Sequence, residues 1–219
     1  MRVAIAGGHG QIALILERLL ADGGHVAVGI IRRADQAADV TEAGGTPLVL
    51  DLEQTDAATL AAELEGMDAV VFAAGGGPNS GAARKLTVDR DAAILLADAA
   101  EQADVSRYVM ISALAADDFD PDSEDVFQVY LRAKSEADAD LRERHLDRTV
   151  IRPGGLTDDP PTGTVLALES TGRGSIPRAD VAAVVAEALV NQRAVRRQFE
   201  LISGPDEISQ ALSVLSVES

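Results

Sequence analysis

The first thirteen residues restrict this chain more than any other stretch. Arg2-Val3-Ala4-Ile5-Ala6 is a short apolar run with β-branched residues. It breaks into Gly7-Gly8-His9-Gly10, and an amphipathic run from Gln11 to Ala21 follows with no loop between. That order predicts a buried strand, a glycine turn and a helix start. Such a turn aims backbone N–H groups and the positive end of a helix at one point, where a phosphate or pyrophosphate sits. The spacing is Gly7-x-x-Gly10-x-x-Ala13. Glycine at 7 allows the tight turn, glycine at 10 lets a diphosphate approach the backbone, and a small residue at 13 lets helix and strand pack closely. The chain holds 19 Gly, so the spacing gains meaning only from its surroundings.

The surroundings supply a βαβ unit. Asp22-Gly23-Gly24 stops the first helix and His25 to Ile31 is a second strand-like run. It ends in Arg32-Arg33. In a dinucleotide fold an acid at this strand end selects NAD, and Arg accommodates the 2′-phosphate of NADP. Asp35 lies beyond the place of an NAD-selecting acid, so the pattern favours NADP over NAD. A short helix is expected from Ala34 to Ala43, then a strand from Thr46 to Leu50 followed directly by Asp51-Leu52. A helix capped by Thr55 is expected to Leu64, and a strand from Ala69 to Ala73 that opens into the glycine-rich Ala74 to Gly81. One long helix is expected from Arg84 to Ala103, a strand from Arg107 to Ile111 ending at Ser112, a helix from Glu124 to Arg144, and a strand from Thr149 to Arg152. The stretch from Leu156 to Ser175 reads as irregular, with a strand at Thr164 to Leu168. A helix from Asp180 to Asn191, a strand from Gln198 to Ile202 and a helix from Ile208 to Leu215 close the chain. This alternation predicts a single Rossmann-like α/β domain: a mostly parallel sheet with helices on both faces and a small C-terminal substrate lobe. Residues 113–128 and 154–177 are the expected substrate-side loops.

The formal net charge of −17 argues against nucleic acid or an anionic membrane as partner. There is no apolar run of spanning length, no secretory signal and no Cys, so a cytoplasmic location is expected. Only two of the 19 basic residues are Lys, Lys85 and Lys134. An acidic, Lys-poor, Ala-rich composition fits a high-salt cytoplasm, and it equally fits GC-rich codon usage. The acidic Asp117 to Asp125 has no metal-ligand spacing, and His9, His25 and His145 are scattered, so no metal is expected.

One of the two Tyr and one of the two Lys form Tyr130-x-x-x-Lys134. On a helix they share a face. A phenol needs a shift of roughly 3 pH units, about 4 kcal/mol, to work near neutrality. One ammonium within 4–6 Å supplies part of that. Asp89 heads the apolar face of the long helix, and an aspartate there needs a partner or a task.

These motifs together resemble the short-chain dehydrogenase/reductase superfamily, most closely its atypical NADP-binding epimerase and reductase members. The resemblance runs from Arg2 to about Leu212 and includes Val88-Asp89, Ile151-Arg152-Pro153-Gly154 and Ser175 to Ala182. It implies that Gly7, Gly10, Gln11 and Ile12 line the pyrophosphate, and that Arg32 and Arg33 hold the 2′-phosphate. Asp51 and Leu52 would meet the adenine, and Ala73, Ala74 and Gly75 the ribose. Pro153, Gly154 and Leu156 would border the nicotinamide. Lys134 would hold the nicotinamide ribose and lower the pKa of Tyr130, which would give a proton to a carbonyl. Asp89 stands where better-known members have Asn. Ser112 is the candidate carbonyl-orienting serine, unless that position falls on Ala113 or Leu114. The implied activity is NADP(H)-dependent reduction or epimerisation of a small carbonyl or sugar-type substrate. The alternatives are a flavin- or tetrapyrrole-type reductase without tyrosine acid catalysis, and a non-enzymatic NADP(H)-binding redox sensor.

Overall fold

Four consecutive residues, Val3 to Ala6, are completely buried in strand β1 (Arg2–Ala6). A strand buried on both faces must be central, and β1 lies between β2 (Val26–Ile31) and β4 (Ala69–Phe72), parallel to both. The computed structural model describes residues 1–77 and 79–217; Pro78, inside the expected glycine-rich loop, lies outside the described residues. On one side β2 is followed by β3 (Thr46–Val49). On the other, β4 leads through β5 (Arg107–Ile111), β6 (Asp147–Pro153) and β10 (Arg197–Ser203), all parallel, to antiparallel β8 (Thr164–Leu168) and the short β11 (Asp206–Glu207). The nine-stranded order is β11-β8-β10-β6-β5-β4-β1-β2-β3. Chain order reverses between β1 and β4, and ligands of such sheets bind in the crevice at the carboxyl ends of strands at that point.

Strand alternation sends side chains to two cores. Val3, Ile5, Val71, Val109 and Ile151 pack under α1 (Gln11–Asp22), α7 (Arg178–Val190) and α8 (Ile208–Val217). Ala4, Ala6, Phe72, Tyr108 and Val150 pack under α3 (Ala57–Leu64), α5 (Ala92–Gln102) and α6 (Val126–Glu143). At about 1.5–3 kcal/mol for each large apolar side chain taken from water, these two layers hold the sheet between its helices. Among the described residues no helix is long and apolar enough to cross a membrane.

Four local expectations are corrected. Helix α3 is capped by Asp56, whose carboxylate accepts from Thr59 N–H at 2.8 Å; Thr55 lies one residue too early. Asp125 caps α6 in the same way, accepting from Phe127 and Gln128. The helix expected from Arg84 to Ala103 is a short α4 (Ala82–Arg84), a π-helix from Lys85 to Asp91, and α5. The stretch expected to be irregular, Leu156 to Ser175, is bounded by β7 (Gly155–Thr157) and β9 (Ser175–Pro177), paired in parallel as a separate ribbon. Three-residue strands are too short to show a period. The second turn of chain after β2 is a 3₁₀ segment (Ala34–Gln36) running into α2 (Ala37–Glu42).

Candidate active site

The glycine turn has the predicted build. Gly7 has φ +80, and a Cβ there would lie 2.6 Å from Ala74 Cα, so only glycine fits against the end of β4. Gly7 and Gly8 N–H both donate to Ile30 O, at 3.2 and 2.9 Å, tying the turn to β2. Gly10 stands at the N-cap of α1, where no side chain caps the helix, and the first helical bond is Leu14 N–H to Gly10 O. The N–H groups of Gln11, Ile12 and Ala13 are therefore free to serve an anion. Ala13 is fully buried, which lets α1 press on the sheet.

From this turn a cleft of about 260 Å³ runs along the carboxyl ends of β2, β3 and β4. Gly7, Gly10, Arg32, Asp51, Leu52, Ala73, Ala74 and Gly75 line it, as the sequence motifs imply. So do His9 of the glycine turn and Val88 of the Val88-Asp89 motif, together with Gln36, Glu53 and Arg84, which the motifs do not single out. Arg33 is absent from this wall. Its Nε donates to Asp35 at 2.9 Å on the exposed side of the loop. The cleft's second arginine is Arg84, 2.8 Å from Glu53, with Arg32 3.9 Å from the same carboxylate oxygen. Thr87 Oγ1 donates to the other oxygen at 2.7 Å. The two arginines lining the cleft are thus Arg32, just after β2, and Arg84, at the end of α4.

Asp89 joins this cleft to the Tyr130 and Lys134 pair. It is 1% exposed; Oδ2 accepts from Gly76 N–H at 3.0 Å, and Oδ1 lies 3.3 Å from Lys134 Nζ. Lys134 Nζ also donates to Ile111 O at 3.2 Å. Burial alone would pull the Lys134 pKa down, but Asp89, Tyr130 and Asp138 more than reverse that, so the ammonium stays charged. Tyr130, half-buried, has Lys134 Nζ 6.0 Å and Lys85 Nζ 5.1 Å from its ring centroid. Lys85 is 7% exposed and donates to Gly77 O at 2.7 Å, holding the glycine-rich loop down. Both lysines of the chain therefore bracket one tyrosine. Lys85 and Asp89 lie on the π-helix, a rare conformation that recurs at functional sites because it re-aims side chains within a helix.

Burial is the dominant influence on the Tyr130 phenol and raises its pKa; Lys134 acts in the expected direction and lowers it, and Asp89 and Asp138 oppose Lys134.

The candidate serine has a partner within the chain. Ser112 is buried and its hydroxyl donates to Asp138 at 2.8 Å. Asp138 lies two helical turns beyond Tyr130 on α6, about 12 Å along the axis. Arg152 Nε donates to the same Asp138 oxygen at 2.8 Å and its other nitrogens grip Asp117 at 2.7 and 3.0 Å. Ser112 belongs to that pin between β5, β6 and the 113–125 loop. Ala113 and Leu114 carry no hydroxyl, so Ser112 is the hydroxyl that this strand end offers.

The remaining implied residues sit at the same edge of the sheet. Pro153 ends β6 and Gly154 follows it, with Pro153 O accepting from Leu114 and Gly154 N–H donating to Leu201 O. Leu156 is exposed on β7. Ile12 packs on the α1 core, and the Gln11 side chain reaches Asp158 at 3.5 Å.

With this geometry in place, known proteins match it closely. A family model described as NAD(P)H-binding matches residues 7–192. The Bacillus subtilis protein named as the uncharacterized sugar epimerase YhfK is 37% identical over 216 residues, spanning 98% of this chain and all of that protein. A Bacillus halodurans structure described as a candidate NAD-dependent epimerase/dehydratase superposes with a TM-score of 0.89 at 32% identity, covering 98% and 100% of the two chains. The oxidoreductase ylbE from Lactococcus lactis superposes at 0.84 with 26% identity over 98% and 96%. The strand order, the uncapped glycine turn and these matches agree, and the chain belongs to the NAD(P)H-binding Rossmann family.

Proposed function

We propose that this protein is an NADP(H)-dependent reductase or epimerase acting on a small carbonyl or sugar-type substrate. The observation that carries the reading is the Tyr130, Lys134 and Asp89 cluster, tied through Gly76 to the wall of the glycine-turn cleft. The turn fits a dinucleotide: its helix start has donors without a side-chain cap, and Gly7 leaves no room for a Cβ. Gly7, Gly10, Gln11 and Ile12 would hold the pyrophosphate, Asp51 and Leu52 the adenine side, and Ala73 to Gly75 the ribose. Arg32 and Arg84 would take a 2′-phosphate. When bound, the nicotinamide supplies or accepts hydride.

Tyr130 is the proton donor at the substrate oxygen, and Lys134 and Lys85 stabilise the phenolate left behind. Asp89 positions Lys134 and holds the 75–77 loop. The 113–128 and 154–177 segments border the substrate. Two observations favour a second reading, a reductase that only docks an electron-accepting flavin or tetrapyrrole: the serine is engaged elsewhere, and burial makes the phenol less acidic.

Nicotinamide fluorescence titrations with NADPH and NADH test the coenzyme, with tighter NADPH binding expected. Equal affinity would remove the roles given to Arg32 and Arg84. Tyr130→Phe then separates the chemistries on a carbonyl panel. Loss of turnover by about 10²-fold or more supports proton donation, and unchanged turnover supports the docking reductase. Coenzyme binding with no turnover on any substrate would leave the redox-sensor reading.

A further inference from the structure

A carboxylate of the chain itself sits at the start of α1. Asp158, in the loop after β7, has one oxygen 2.7 Å from Arg178 Nη1 and 3.5 Å from Gln11 Nε2. Gln11 is the first residue of α1 and Arg178 the first of α7. The two helices pack side by side on one face of the sheet. Their starts therefore meet over the glycine turn, and Asp158 bridges them.

The same loop is fastened twice, unequally. Asp180, fully buried one half-turn beyond Arg178, accepts from Thr162 N–H at 3.1 and 3.0 Å, from Thr162 Oγ1 at 2.8 Å and from Gly163 N–H at 2.9 Å. That attachment is dry and multiply bonded. The Asp158 side chain is 73% exposed and rests on one charged contact and one long one. A water-facing ion pair is easily exchanged. The stretch 158–163 thus has a fixed end at Asp180 and a releasable end at Asp158.

We propose that Arg178 is a coenzyme-binding residue that trades Asp158 for the pyrophosphate of the bound dinucleotide. Asp158 holds the Arg178 guanidinium with a carboxylate of the chain, next to the first side chain of α1. The α1 N–H groups beside it have no side-chain cap. A pyrophosphate entering that place meets the Arg178 guanidinium, which matches paired phosphate oxygens better than any other side chain. It also repels Asp158, which swings outward on the Asp180 anchor. The inference rests on the dinucleotide reading. It adds a residue that no glycine motif includes, and a carboxylate that competes with the ligand.

NADPH and NADH fluorescence titrations of wild type, Arg178→Gln and Asp158→Asn test it, at one ionic strength and with melting temperatures recorded. Both coenzymes carry the pyrophosphate, so Arg178→Gln weakens both by the same factor, roughly tenfold for a lost charge-assisted contact. Asp158→Asn removes the competitor and tightens both several-fold. Unchanged affinity in Arg178→Gln overturns the proposal. So does weakening by Asp158→Asn, because the pair would then be a latch whose closure builds the site. Weakening of NADPH alone by Arg178→Gln also overturns it, since that places Arg178 at the 2′-phosphate. Should Arg178→Gln not fold, Asp158→Asn alone carries the decision. If wild type binds neither coenzyme, the dinucleotide reading falls first and this proposal with it.

Discussion

Replacing Glu17 with Gln should stabilise the protein near neutral pH and do nothing comparable in acid. Glu17 lies on the inner face of α1, fully buried, and neither carboxylate oxygen has a hydrogen-bond partner among the described residues. Its head fills space left by glycines: a Cβ on Gly8 would be 3.1 Å from Oε1, and one on Gly45 3.1 Å from Oε2. Burial pushes its pKa from 4.5 up to about 8. The folded state therefore keeps the proton while the unfolded chain releases it. The favourable balance is complete below pH 4.5 and is lost progressively as pH rises to about 8. At pH 7, at 1.36 kcal/mol per pH unit above 4.5, the loss is about 3 kcal/mol. Glu17→Gln has the same shape and cannot ionise. Urea unfolding of both proteins at steps from pH 4.5 to 8 isolates the effect, because every other titrating group is common to the two. The stability difference should grow by about 3 kcal/mol between pH 4.5 and 7, equivalent to roughly 6–12 °C in Tm. Any constant cost of burying the amide appears equally at every pH and drops out. A difference that stays flat with pH would refute the reasoning and show that the carboxylate is solvated or paired in solution.

Three further outcomes follow from the same structure. With no Trp and two Tyr, phenolate absorbance near 295 nm reads Tyr130 directly, since the Tyr108 hydroxyl is buried on Ala93 O and its pKa lies well above 10. The free protein should show a single ionisation above pH 10 that Tyr130→Phe removes, and a step at or below 10 would contradict the dominance of burial. Ser112→Ala should leave coenzyme affinity and turnover unchanged but lower stability by about 1–3 kcal/mol in thermal melts, because Asp138 loses its hydroxyl donor; a turnover defect without a stability defect would restore the serine to the site. If the −17 charge reflects adaptation to high salt, the Tm should rise from low to multimolar KCl, and a flat profile would leave codon usage as the explanation.

The parts of this fold that were legible in the sequence are those governed by a local period or a local steric need. β1 and the strands beside it read as apolar runs because both faces are buried, and Gly7 read as a turn because the chain must reverse against Ala74. Arg33 pairs with Asp35 two positions on, outside the lining of the cleft, while Arg32 lies within it. Arg84 and Glu53 were illegible. They lie 31 positions apart, in loops that meet only once β3 and β4 are placed around β1, and nothing local marks either residue. The π-helix was hidden because it keeps helical composition and changes only the hydrogen-bond step. Lys85 and Asp89, four residues apart on it, find their partners at Gly77, Gly76 and Lys134.

Four cations in and beside the cleft are matched with a carboxylate of the chain, Arg32 and Arg84 with Glu53, Lys134 with Asp89 and Arg178 with Asp158, while Lys85 donates to Gly77 O. Such pairing is what an acidic protein requires to keep positive groups ordered, since an unpaired buried charge is costly. It also changes how an anion binds. At physiological ionic strength the field of the other acids fades within about 8 Å, so the net charge decides little. What decides is the exchange at each pair. At the exposed Asp158, exchange is easy and a phosphate gains the arginine at little cost. At Glu53, held also by Thr87, the carboxylate stays and must be tolerated by whatever lies beside Arg32. At Asp89, 1% exposed, exchange is too costly, and the ion pair remains as the fixed support on which Tyr130 stands. Exposure thus falls from Asp158 at 73% through Glu53 at 21% to Asp89 at 1%, and the ease with which each ion pair exchanges falls with it.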